Sequence, residues 1–336
     1  MRGLGKYISR KIFWYLLTLI VALMLNFFLP RMIPGNPVDI ILNELTAGMA
    51  DTVRATQMKQ EFREQLGLDQ PLPMQFVNYV RNIFKGDLGR SFNQYPMPVT
   101  DILASSLPYT LGLQLPAILI GWIMGNLLGA KAAYSKGVFD KTVFPVSLFL
   151  SSIPAFIFSL VMLYTFAVAL KFFPIGGAYA NEILPSLSFT FIFSLIRHWF
   201  LPFCALALIA VGGQAIGMRS MSLYELNADY VLYAKLLGVA DRKVTKYVFR
   251  NAVLPQITGL ALSLGTMIGA ALITEIVFSY PGVGSKMMQA IRNIDYPMIS
   301  GCTLVISMTV LVANFLIEIV YGLIDPRVRA AQIEEG

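Results

Sequence analysis

Charged residues are scarce in this chain. They make up 13% of its 336 residues, against 56% hydrophobic, where a soluble domain carries roughly 25% charged residues. That shortage excludes an ordinary soluble domain and points to a membrane protein. Cysteine is nearly absent. Cys204 and Cys302 both lie within apolar segments, which excludes a disulfide framework and reads as small buried packing residues. There is one histidine, His198, set between Arg197 and Trp199 at the edge of an apolar run. A zinc or nickel site takes several nitrogen or sulfur ligands, so His198 reads as an interfacial residue and no metal site is expected. No G-x-x-x-x-G-K-S/T phosphate loop occurs. Gly282-Val283-Gly284-Ser285-Lys286 has the wrong spacing and reads as a turn after Tyr280-Pro281. Hydrolase signatures such as G-x-S-x-G are missing. So are internal repeats, low-complexity tracts and flexible linkers, and the chain reads as one unit.

What the chain does have is long apolar runs. A helix crosses a hydrocarbon core in about 20 apolar residues. Six stretches are long enough: 12–30, 107–130, 143–170, 199–218, 254–278 and 298–324. The basic start (Arg2, Lys6, Arg10, Lys11) could introduce a signal peptide, but no small-residue cleavage site follows Leu29. The first stretch is therefore expected to be an uncleaved membrane helix. The net charge of +7 is spread between the apolar runs rather than gathered in one stripe, so it reads as a topology signal and not as a nucleic-acid surface. With both termini inside, fifteen basic residues fall on inner segments and four on short outer ones. Basic residues are retained on the cytoplasmic side, so this orientation is expected.

The resulting division is a cytoplasmic start and first span over 1–30, an extracytoplasmic region over 31–106, five further spans over 107–324 and a cytoplasmic tail over 325–336. In the outer region, Thr52–Leu66 is expected as an amphipathic helix with Val53, Phe62 and Leu66 on its apolar face. Met74–Phe84 is expected as a second one, ended by Gly86 and Gly89. These helices would serve as a landing surface for an extracytoplasmic protein or as a cap over the span ends. Gly121, Gly125 and Gly129 recur at every fourth position, as do Gly265 and Gly269; that spacing lets two helix backbones approach closely. Polar residues inside spans are costly and face other helices or a watery path. Gln214, Ser263, Thr266 and Glu275 are the candidates for such a path, with Asn126 and Asn314 beside them. Glu275 would meet a cargo's positive end or an outer gate, or else pair with Lys286 or Arg292.

One polar insert stands apart, 219–253, and within it ELNADYVLYAKLLGVADRKVTKYVFRNAVLP over 225–255. Asn227 is placed to cap a short helix. Tyr230, Tyr233, Ala234 and Leu237 share one face of it, and Gly238 stands where a helix stops. Asp241 is placed to cap a second, basic helix carrying Arg242, Lys243, Lys246 and Arg250. An ordinary positive cytoplasmic loop would have the same charge.

The run DYV-x-x-A-x-x-x-G, then R-K-V and R-N-A-V-L-P, resembles the loop by which ABC importer permeases dock on their ATPases. The nearest likeness is to the dipeptide/oligopeptide/nickel permease family. LPRMIPGNPV, LGLDQPLP, GDLGRSF, TEIVFSYPGVG and LIDPRVR carry the likeness over nearly the whole chain. The family usually has basic residues where this chain reads Ala234-Lys235-Leu236-Leu237-Gly238, and an arginine where Leu232 stands. The resemblance implies an all-α polytopic membrane protein with six transmembrane helices and the type I ABC importer permease fold, in the bacterial cell membrane. It implies a path for short peptides, or for nickel or metal chelates. It also implies partners: a second homologous permease, two ATPase subunits that bind ATP and Mg, and an extracytoplasmic binding protein or lipoprotein. This chain would bind no cofactor and catalyse nothing. Glu225, Asp229, Tyr230, Tyr233, Ala234, Leu237, Gly238 and Arg242 would form the coupling surface. An ion-driven carrier would show charges at mid-depth, and a membrane enzyme a catalytic constellation; neither pattern is present.

Overall fold

The computed structural model describes residues 2–31, 60, 70–135 and 137–324, with backbone alone at 2–11, 29–31, 258, 261–271 and 317–324. Among them the regular structure is helical. α1 is Arg2–Arg31, α2 Leu72–Phe84, α3 Val99–Ser135, α4 Val138–Ser152 and α5 Ala155–Met162, the last running into π-helical Leu163–Ala169. Then come α6 Phe189–Leu226, α7 Asp229–Leu236, α8 Asp241–Val277, α9 Val283–Arg292 and α10 Tyr296–Ile324. Within the described residues α3, α6 and the 296–316 part of α10 are long and apolar enough to cross a membrane. α4 with α5 and its π-helical extension makes a fourth candidate if the bent pair is one span. Apart from Gln60, the expected helix Thr52–Leu66 lies outside the described residues, as do Lys136 and the tail from 325.

That bend corrects an expectation. The stretch 143–170 is not one straight helix: its two halves meet at 103°. Ile153 sits between them in an extended conformation (ψ 127°), because Pro154 crowds the residue before it out of the helical region. Pro108, Pro116, Pro145, Pro202 and Pro255 all lie inside helices that continue.

The chain divides into two compact units. Pro108–Ser285 forms the bulk of the first; Ile12–Leu107 and Lys286–Thr309 form the second. In the first unit α6 packs against α4, α5 and α8. The glycine stripe of α3 does what its spacing predicts. A Cβ on Gly125 would fall 2.6 Å from Cβ of Gln214 and 2.8 Å from the carbonyl oxygen of Val211. One on Gly129 would run into the backbone of Ala215. Backbones this close are the usual means of helix association in lipid, where no hydrophobic force separates helix from tail. Gly212 meets α4 in the same way, a Cβ there lying 2.8 Å from the Ser147 carbonyl.

The second unit is held by polar groups as well as rings. Phe27 is fully buried, edge-on to Phe76. Buried Asn26 donates to the Ser300 carbonyl at 2.7 Å and to the Tyr79 hydroxyl at 3.1 Å. Asp295 precedes α10 and accepts from the Met298 amide at 3.1 Å, satisfying one of the free N–H groups of that helix start. Its other oxygen accepts from the Ser91 hydroxyl and from the Asn93 amide. α2 begins two residues before the expected Met74, and the chain after it turns at Gly86 and Gly89, both at positive φ.

Candidate functional site

The insert forms a helix, a turn and the start of a long helix. α7 begins after Ala228, not Asn227. Asn227 instead ends α6, its side-chain amide donating to the Leu223 carbonyl at 3.0 Å. Ala240, not Asp241, likewise precedes α8. Asp229 and Asp241 occupy the first helical positions, where a carboxylate favours the positive end of the helix dipole. The basic helix is not separate either: α8 runs unbroken from Asp241 through Pro255 to Val277.

The turn between α7 and α8 closes by two backbone bonds. The Gly238 amide donates to the Lys235 carbonyl and the Val239 amide to that of Ala234, each at 3.0 Å. This is the Schellman arrangement, which needs a left-handed residue at the first position past the helix. Gly238 supplies it with φ +74°.

Packing then sorts the side chains of α7. Val231 is buried with Val244 and Val248 of α8, and Tyr230, Ala234 and Val239 pack on that cluster. So two of the four residues expected on one outward face, Tyr230 and Ala234, turn toward their own chain. Tyr233 and Leu237 do face out, and Leu232 and Leu236 join them, at 66%, 82%, 58% and 74% exposure. The Tyr230 hydroxyl donates to Glu225 Oε2 at 2.7 Å, and the Asn251 amide approaches the same oxygen at 3.4 Å. Burial, then this hydrogen bond, pushes the Tyr230 phenol up to about 12. Asp229 and Arg242 stand exposed at the starts of α7 and α8.

Sequence reasoning missed the ion pair beside the insert. Arg219 Nε and Nη2 meet the two oxygens of Asp140 at 2.6 and 2.7 Å, tying α6 to α4. The guanidinium also lies 4.4 Å from the Phe144 ring centre. The Arg219 hydrogen bond holds the Asp140 carboxyl below its usual range. The only signal was an acid and an arginine 79 positions apart, which no local pattern links.

Of the path candidates, Gln214 is half-buried on α6 against Gly125. Ser263 and Thr266 lie on α8 where backbone alone is described. Glu275 departs from expectation. It is fully buried, and its Oε2 accepts from the Gly284 amide at 2.7 Å. His198 Nδ1 lies 2.7 Å from the Ser194 carbonyl, within its own helix.

Residues 117–330 match the family described as binding-protein-dependent transport system inner membrane component, and residues 4–114 match its N-terminal counterpart. The chain belongs to this family of ABC importer permeases. This permease is 33% identical over 338 residues to the di/tripeptide transport system permease protein DppB of Pseudomonas aeruginosa, covering 96% of this chain and 98% of that one. It is 30% identical over 330 residues to the oligopeptide transport system permease protein AppB of Bacillus subtilis, covering 97% and 99%. It is 30% identical over 338 residues to a probable D,D-dipeptide transport system permease protein, DdpB, of Escherichia coli, covering 96% and 97%. The permease is thus a multi-pass membrane protein.

Proposed function

We propose that this permease forms part of the translocation path of an ATP-driven importer of short peptides. The observation that carries the reading is similarity along almost the whole chain to permeases named for dipeptides, tripeptides and oligopeptides. The subunit crosses the membrane six times with both termini in the cytoplasm, an orientation supported by the fifteen-to-four bias of basic residues. The segment 31–106 lies outside, where a binding protein or lipoprotein delivers cargo. A second permease completes the path, with Gln214, Ser263 and Thr266 as contributors from this chain.

Two separate ATPase subunits hold ATP and Mg, and one of them docks on α7. Leu232, Tyr233, Leu236 and Leu237 support this. Four exposed apolar side chains on so short a helix and its end, in the most basic insert of the chain, are a surface awaiting a partner. The Schellman turn gives that surface fixed geometry against α8, so a push on α7 is delivered to a helix of 37 residues, about 55 Å long at 1.5 Å per residue.

The test is reconstitution of the full complex in vesicles, with ATP-dependent uptake of a labelled dipeptide, a labelled tetrapeptide and nickel measured side by side. Peptide uptake that requires this subunit is expected. Nickel uptake without peptide uptake overturns the cargo assignment. Labelling of a single cysteine at Lys243 by an impermeant thiol reagent added outside intact cells overturns the orientation.

A further inference from the structure

Glu275 sits at the far end of α8 from the coupling turn, and the mechanism above gives it no role. Three observations converge on it. Its Oε2 accepts the Gly284 amide at 2.7 Å. The neighbouring Val283 amide is held at 2.8 Å by the hydroxyl of Thr110 on α3. The two glycines of the turn Tyr280–Ser285 are cut to the carboxyl. A Cβ on Gly282 would meet nothing nearer than the Glu275 carboxyl group itself, and one on Gly284 would lie 2.8 Å from Oε2 and 2.6 Å from Cα of Leu272. The turn is further pinned by Ser285, whose hydroxyl donates to the Tyr280 carbonyl at 2.7 Å, and by buried Tyr280, edge-to-face with half-buried Tyr109. The side chains of Thr110 and Gln114 and the Ser285 amide also lie against the carboxyl.

We propose that Glu275 is a positioning residue: its carboxyl clamps the Tyr280–Ser285 turn to the end of α8, so that helix and turn move as one body when α7 is pushed. The clamp works by shape and hydrogen bonding, not by charge toward cargo. A carboxyl on a helix grips a turn only if the turn's amides can come within 3 Å, and only a turn lacking side chains at 282 and 284 admits that. The sequence Tyr280-Pro281-Gly282-Val283-Gly284 is therefore one half of the device and Glu275 the other. The inference rests on the coupling reading above, since it assigns α8 the role of carrying the push.

The experiment uses the complete complex in vesicles, with this chain carrying Ser279→Cys and lacking Cys204 and Cys302. Ser279 is exposed, at the left-handed residue that starts the turn (φ 47°). Its labelling rate is read with and without ATP, which requires no cargo; uptake is read separately. In the parent, ATP is expected to change the labelling rate at least threefold. Glu275→Gln keeps an oxygen for the Gly284 amide and should retain that change, with cargo KM and maximal uptake within twofold of the parent. Glu275→Ala and Gly282→Ala should each abolish the ATP-dependent change and lower maximal uptake at least tenfold at unaltered KM. Removing the carboxyl also removes the obstacle to a Cβ at 282, so Glu275→Ala/Gly282→Ala should be no worse than either single variant, where independent sites would multiply their losses. A tenfold rise in KM for Glu275→Gln would make Glu275 a cargo-binding charge and overturn the proposal. So would an ATP-dependent labelling change that survives in Glu275→Ala, or its absence in the parent. Loss of peptide uptake in the parent with the labelling pattern intact would overturn the cargo assignment and leave the clamp standing.

Discussion

Replacing Gly238 should uncouple this importer without touching its cargo chemistry. The residue lies at φ +74°, and no atom stands within 4 Å of the position a Cβ would take. The penalty for a side chain there is therefore conformational, not a collision. A Cβ in the left-handed region costs roughly 1–2 kcal/mol, and a β-branched side chain more. That energy is charged against the Schellman turn, whose two 3.0 Å bonds set the angle between α7 and α8. At 1.4 kcal/mol per factor of ten, Gly238→Ala should shift the equilibrium constant of the native turn about 5- to 30-fold against it, and Gly238→Val further. Asparagine visits the left-handed region more readily than other residues, so Gly238→Asn should lie nearest to glycine. The expected order of cargo-stimulated ATP hydrolysis and of uptake in vesicles is Gly, Asn, Ala, Val. Insertion of the subunit and cargo affinity of the isolated binding protein should not change. Near-normal rates in Gly238→Val, or Asn no better than Val, would refute the reasoning: the first outcome removes the turn from coupling, the second removes φ as the cause.

Four further outcomes are expected. Leu236 is 74% exposed on α7, and burying a leucine is worth about 1.5–3 kcal/mol; Leu236→Asp should weaken co-purification with the ATPases by about 10- to 100-fold while leaving the thermal stability of the isolated permease unchanged. Ala234→Arg, by contrast, should lower that stability, because Ala234 packs on the valine cluster. The depressed Asp140 carboxyl gives the Arg219 pair a pH signature: its contribution is complete above the free carboxylate range, about 3.9, and is lost as pH falls through the lowered value. The stability gap between the parent and Asp140→Asn should thus be largest near neutrality and close in acid, and a gap constant with pH would refute it. Gly129→Leu must displace the Ala215 backbone and should cost about 1–3 kcal/mol by overpacking, whereas Gly213→Ala, with open space around its Cβ, should be neutral or slightly stabilising in a detergent melt.

Much of this architecture was legible because hydrophobic length is a local signal. The apolar runs became helices, and the fourfold glycine spacing on α3 marked its close approach to α6. Gly238 was readable because a left-handed turn demands a residue type. What failed was everything decided by competition or by distance. Asn227 and Asp241 are good caps in isolation, yet Ala228 and Ala240 occupy those places because α6 runs on to Leu226 and Asp229 and Asp241 serve better at the first helical position. Seven prolines sit in apolar runs, and only Pro154 breaks its helix. Ala234 has the right periodicity for an outward face, but the valines of α8 claim it. The Ser91–Asp295 and Asp140–Arg219 links join residues far apart in sequence, and no spacing rule reaches them. Glu275 was singled out as an acid in a span, but only the glycines facing it explain why it is there.

The break at Ile153–Pro154 has a bearing on what surrounds this subunit. A helix that stops leaves its last carbonyls without intrahelical donors, and proline brings no N–H of its own to the next helix start. Ser151 and Ser152 cannot help, since both hydroxyls turn back to the Leu148 carbonyl. In an acyl-chain environment such backbone would be untenable; irregular main chain at that depth survives only beside protein or water. Ser151, Ser152 and Pro154 form an exposed rim at this break. Wherever that rim falls within the hydrocarbon layer, its neighbour has to be another polypeptide or water rather than an acyl chain.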